Sequence, residues 1–187
     1  MNANFKKEVI DRSIEDIQVE LDDQFDQNFE RKSFMGEEKW PDAKAPNSRG
    51  SLMLRTGGLR GSIRSRRRNS TLVYSSTKPQ AQIHNEGGEI KVTKKMRGYF
   101  MYRYCSIRGR YGKRKDGSRR KDKRNESLSE EESFYFSMAK KKVGSTVKIP
   151  KRQYIGSNKK TDKIIREIVN ENLERYIQDN PIIKSVK

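Results

Sequence analysis

The chain has 187 residues, 43 lysines and arginines against 25 acids, and a formal net charge of +18. One cysteine and one histidine exclude an intramolecular disulfide and the usual zinc clusters, and no apolar run approaches the roughly eighteen residues of a membrane span. With 31% hydrophobic and 36% charged residues, the expectation is one domain over 1–187 with a small core, folded in a reducing cytosol, much of its surface waiting for a partner.

Charge is unevenly placed. The first 42 residues hold 12 acids and 6 bases, a net of −6, and the remaining 145 carry a net of +24. Such asymmetry suits either an anionic polymer beside the basic part or head-to-tail contacts between copies, acidic arm on basic body.

Phe5, Val9, Ile10, Ile14, Ile17, Leu21, Phe25 and Phe29 recur at helical steps, which predicts an amphipathic helix over about 4–30. A polar linker follows over 36–50, with Trp40 held extended by Pro41. Thr56 is placed to cap a short helix in which Leu59 and Ile63 share a face, ending near Asn69, with arginines 60, 64, 66, 67 and 68 spread around it. Ser70–Ser75 reads as a strand, Pro79–Asn85 as a helical turn, Gly87-Gly88 as a tight turn and Glu89–Thr93 as a second strand. Between Lys94 and Tyr104 the aromatics Tyr99, Phe100, Tyr102 and Tyr104 fit either a helix or a strand, and the shared face of Met96, Tyr99 and Phe100 favours the helix.

Residues 106–129 contain ten bases, three acids and three glycines, the composition of a mobile basic insertion. A helix over about 129–141 follows, then a strand over 146–155 interrupted at Pro150 and so expected at an edge. Ile164, Ile165, Ile168, Val169, Leu173 and Ile177 make one stripe of a final helix that stops before Pro181. Together these elements predict an α+β fold: a small, mainly antiparallel sheet packed by long N- and C-terminal helices, with a long basic loop.

Nothing in the chain reads as catalytic, cofactor-binding or metal-binding. Thr56-Gly57-Gly58-Leu59 lacks the full pattern of a phosphate-binding loop and reads as a cap and turn. His84 has no recognisable nucleophile and acid beside it; its ring is expected to bond a neighbouring backbone group and fix the turn before Gly87. Cys105, among aromatics, reads as a small buried or half-buried residue. Trp40 reads as a core or interface anchor rather than a base-stacking platform.

Four elements in order carry more than any one alone: Trp40-Pro41; Thr56-Gly57-Gly58-Leu59-Arg60-Gly61-Ser62-Ile63; Ala81-Gln82-Ile83-His84-Asn85-Glu86-Gly87; and Pro150-Lys151-Arg152-Gln153-Tyr154-Ile155-Gly156. In this order they resemble the phage virion morphogenesis family, with structural roles implied for Thr56, Gly57, Leu59, Ile63, His84, Gly87, Pro150, Arg152 and Gly156. The basic insertion has no counterpart in that pattern.

The resemblance implies a tail-completion, neck or tail-terminator protein at the head–tail junction of a virion, assembled in the host cytoplasm. It also implies a homo-oligomeric ring and, as partners, the portal-side adaptor or stopper and the tail terminator or tube. Closing a ring needs heterologous interfaces; Phe25, Phe29, Trp40 and Tyr154 are the candidate subunit contacts, with the acidic helix against a basic neighbouring face. Arg64, Arg66, Arg67, Arg68, Arg108, Arg110, Lys113, Arg114, Arg119 and Arg120 are the cations expected to face a partner. Three readings stand for them: a solvated loop, contact with the backbone of DNA in the channel, or docking on acidic virion proteins. The rival for the whole chain is a non-specific, basic nucleic-acid-binding protein, for which charge is the entire argument.

Overall fold

A computed structural model describes residues 3–43, 51–112, 115–116 and 129–180. The fold is α+β, and among the described residues the pairing is antiparallel, in three two-stranded sheets rather than one. Two compact units share the chain: one comprises the described residues of 1–41, 51–86 and 151–187, the other those of 42–50 and 87–150.

The first unit is built on α1, Arg12–Arg31, which an α-turn at Ala3–Phe5 and a π-helical turn at Lys6–Asp11 precede. The four-residue step of Ile17, Leu21, Phe25 and Phe29 puts all four on one side, and all are buried. Lys32, at φ 54, ends the helix in the left-handed region. The chain then reverses in a hairpin of β1, Ser33–Phe34, and β2, Glu38–Lys39.

Its central residues, Met35 and Gly36, both have positive φ, at 52 and 78. That conformation is costly for methionine, and two bonds hold it there. Asn28 Oδ1 accepts from Met35 N at 2.8 Å, and Lys160 Nζ donates to Met35 O at 2.7 Å.

A single 3₁₀ turn, Arg60–Ser62, leads directly into β3, Ile63–Arg68, paired with β4, Thr71–Ser76. The helix expected from Thr56 to Asn69 is therefore corrected to a turn and a strand. Asn69, at φ 53, makes the two-residue reversal that lets Arg68 face Thr71, a conformation asparagine tolerates. Leu72 and Tyr74 then pack on the Ile17–Leu21–Phe25 cluster, together with Ile164, Ile165 and Ile168 of α5, Lys159–Asp179. A capping box between Asn158 and Thr161 starts α5. Asn172, buried on α5, donates to Ser13 Oγ and Asp16 Oδ2 at 3.3 and 2.8 Å, so the N- and C-terminal helices are neighbours. A further short helix, α2, spans Ala81–Glu86.

The second unit pairs β5, Gly88–Lys91, with β6, Thr146–Ile149. Between them lie α3, Lys94–Gly112, and α4, Glu130–Lys140, which Ser129 and Glu132 start with a capping box. Rings interlock the two helices: Phe100 meets Phe134 at 6.1 Å and Tyr135 at 6.2 Å, and Tyr104 meets Phe136 at 4.9 Å. The helix at 94–104 thus runs on through 106–112, positions expected to be loop. Cys105 is exposed rather than tucked among the aromatics.

Candidate functional site

Residues from all four sequence elements meet in the first unit around Tyr154, which is 1% exposed. Phe29, Trp40, Leu59 and Ala81 pack with it, the Phe29 ring lying 5.1 Å from that of Tyr154 and 5.6 Å from that of Trp40. Their polar atoms close the same junction. Trp40 Nε1 donates to Gln153 O at 2.7 Å, Tyr154 Oη donates to Ala81 O at 2.8 Å, and Asn28 Nδ2 donates to Tyr154 O at 3.1 Å. Asn85 Oδ1 accepts from the backbone N–H of both Tyr154 and Ile155, at 2.9 and 3.1 Å. Buried in this way, the Tyr154 phenol is pushed up to about 12.

This arrangement corrects one expectation. Phe25, Phe29, Trp40 and Tyr154, expected as subunit contacts, are 3%, 0%, 7% and 1% exposed, their side chains packed into the protomer's own core.

The remaining motif positions shape backbone. Gly57 accepts the bond from Gly61 N that closes the turn ahead of Ile63, and Gly58 N donates to Thr56 Oγ1 at 3.4 Å. Gly156 has φ 138, a conformation that other residues rarely adopt, so the Tyr-Ile-Gly end of the fourth element favours glycine. Gly87 likewise takes φ 75 as α2 ends, and Pro150 directly follows β6. Arg152 is buried; its backbone N–H donates to His84 O and its Nε to Pro41 O, each at 2.8 Å.

It is therefore the carbonyl of His84 that ties the elements together. The ring does not do so as expected: its Nδ1 is buried without a hydrogen-bond partner among the described residues. Burial, then the nearby Arg152 cation, holds the imidazole below its ordinary value and so neutral. Asn28 and Asn85, which sequence reasoning does not single out, carry more of the junction's polar bonding than His84 does. The one signal for Asn28 is a polar residue beside Phe29 on an otherwise apolar helix side.

The arginines of β3 divide by strand face. Side chains alternate along a strand, so Ile63, Ser65 and Arg67 turn toward α1 while Arg64, Arg66 and Arg68 are exposed. Facing them on β4 are Ser75, Val73 and Thr71. On the inner side, Arg67 pairs with Asp11 and, at 3.7 Å, with Glu15. Ser65 Oγ donates to Asp22 at 2.8 Å, and Arg60, in the turn before β3, pairs with Asp26 and Glu30.

The bond from Arg60 holds the Asp26 carboxyl below the usual carboxylate range. Acids at 11, 15, 22, 26 and 30 thus form one stripe of the first helix that serves the hairpin of its own chain. Arg67, expected among the partner-facing cations, is thus ion-paired within its own chain. Arg64 donates only to backbone, to Gly61 O and Ile63 O at 2.9 and 2.7 Å. Among the described residues, no bond or ion pair joins Arg66 or Arg68 to a partner.

Of the remaining basic candidates, Arg108 stacks on Tyr104, with its guanidinium carbon 5.9 Å from the ring centroid. Lys113, Arg114, Arg119 and Arg120, and the side chain of Arg110, lie outside the described residues. Among the described residues there is no group of histidine, cysteine and acidic side chains able to hold a metal, and no helix long and apolar enough to cross a membrane.

The motif residues thus pack and bond with one another around Tyr154, the arrangement of a structural element of the fold. The chain matches the phage virion morphogenesis family over residues 15–174 and belongs to it. It is a phage structural or assembly protein, associated with the virion. No curated protein sequence and no solved structure matches it.

Proposed function

We propose that the protein completes the tail at the head–tail junction, as a neck or tail-terminator component that forms a ring and joins the tail to the DNA-filled head. Family membership over residues 15–174 carries this reading. Its partners are further copies of itself and the flanking rings: the portal-side adaptor or stopper on one side and the terminator or tube on the other.

The pairing of α1 with its own hairpin leaves for the expected acidic contact an exposed strip of the helix beside the paired acids. There Asp16, Val19 and Asp23 are exposed, Val19 at 72%. A neighbouring copy's basic surface fits that side by charge, in the heterologous manner a ring requires.

Electron microscopy of particles from a phage carrying an early stop codon in this gene tests the reading. Filled heads beside unjoined tails, or tails of abnormal length, are expected. Normal infectious virions would overturn it.

A further inference from the structure

We infer that the outer face of the β3–β4 hairpin binds the phosphate backbone of duplex DNA, without sequence preference, through Arg64, Arg66 and Arg68. The three stand at alternate positions of one strand, so their Cα atoms are about 6.6 Å apart and the ladder covers about 13 Å. A DNA strand offers a phosphate for about every 3.4 Å of axial rise, so each guanidinium along such a ladder has one within reach.

Chemistry favours the same partner. A guanidinium fork meets two phosphate oxygens at once. Thr71 and Ser75, directly across the register from Arg68 and Arg64, add hydroxyls of the kind that bond phosphate. Val73, opposite Arg66 and 38% exposed, offers apolar surface of the kind on which an arginine stem can lie.

Two observations narrow the partner further. The acids that could neutralise the hairpin lie on its inner side, bonded to Arg60, Ser65 and Arg67. The outer face therefore keeps its charge for an outside anion. It also lacks an aromatic ring, because Tyr74 turns inward to meet Phe25 at 5.0 Å. Single-strand binding draws much of its strength from rings on which bases stack, so a face of guanidinium and hydroxyl groups suits a duplex, whose bases are already stacked. With no asparagine or glutamine among the facing residues, the face has no adenine-reading amide either.

The inference stands on this surface and not on the junction reading; particle morphology tests one and a salt slope the other, so each can fail alone. The experiment is fluorescence anisotropy of the full-length protein on a labelled mixed-sequence DNA duplex, titrated between about 50 and 200 mM salt. Replacing all three arginines by glutamine should flatten the log–log salt dependence by about 2 to 3, or about 0.9 for each phosphate that is no longer neutralised. The corresponding lysine triple should keep the slope, since each point charge remains. Arg67→Gln, on the inner face, should also leave it unchanged. Should the glutamine triple fail to fold, Arg66→Gln alone is expected to lower the slope by about 1. An unchanged slope in the glutamine triple, or in Arg66→Gln, would overturn the inference, as would wild-type protein whose affinity for the duplex does not depend on salt.

Discussion

The two faces of the β3–β4 hairpin carry the same residue type under opposite constraints. On the inner face Arg67, with Arg60 just before the strand, is tied to acids of the first helix. On the outer face Arg64, Arg66 and Arg68 bond only to backbone or to nothing among the described residues. Sequence charge alone treats the five as one basic run. Strand alternation sorts them, and the lesson is that net charge does not indicate which cations are available. The inner set helps to hold the hairpin on α1; the outer set can be changed without touching that packing.

The largest effects are expected at the junction of motif residues around Tyr154. Phe29→Ala removes a ring that is 0% exposed and should cost about 3–5 kcal/mol in chemical denaturation. A cost below about 1 kcal/mol would contradict the close packing around Tyr154.

Asn28→Ala should cost about 1–3 kcal/mol, because it strands the Tyr154 carbonyl and the Met35 N–H at once. Neither change should alter the salt slope of the folded protein.

A smaller effect should follow pH. The folded-state value of His84 lies below its ordinary 6.5, so the unfolded chain takes up the proton first as pH falls. The melting temperature should therefore hold above about pH 6.5 and drop below it, and His84→Gln should remove that part of the drop. Melting curves that fall equally in both proteins between about pH 7 and 5 would place the titration elsewhere.

Arg67→Gln should cost no more than about 1 kcal/mol, since its side chain is 29% exposed and Asp11 is 32% exposed, and the loss should shrink with added salt. Smallest of all, each outer-face arginine changed to glutamine should shift stability by about 0.5 kcal/mol or less.

Much of this organisation is legible in the chain. The steps from Ile14 to Phe29 define the apolar side of α1, and the Ile164–Ile168 stripe defines the side of α5 that meets it, because both patterns are set by burial. The four motif elements point to one family, and they build one junction.

The Thr56–Asn69 region reads as a helix, wrongly, for a physical reason. In Ile63-Arg64-Ser65-Arg66-Arg67-Arg68 both strand faces are polar, so the two-residue period has no hydropathy contrast, and arginine's good helix propensity argues the other way. Asn69-Ser70 ahead of a β-branched run is the available sign of a hairpin. Trp40 reads as a core or interface anchor and Tyr154 as a candidate subunit contact, because aromatic residues suit interfaces and cores alike. Only the acceptors waiting at Gln153 and Ala81 distinguish the two.

The most direct test of the account supplies variants in trans to the stop-codon phage and counts infectious particles, alongside the melting temperature of each purified variant. The Arg64, Arg66 and Arg68 glutamine triple should melt within about 5 °C of wild type yet fail to restore the yield, while Arg67→Gln should restore it. Wild-type yield from the folded triple would contradict the claim that the outer face of the hairpin takes part in particle assembly.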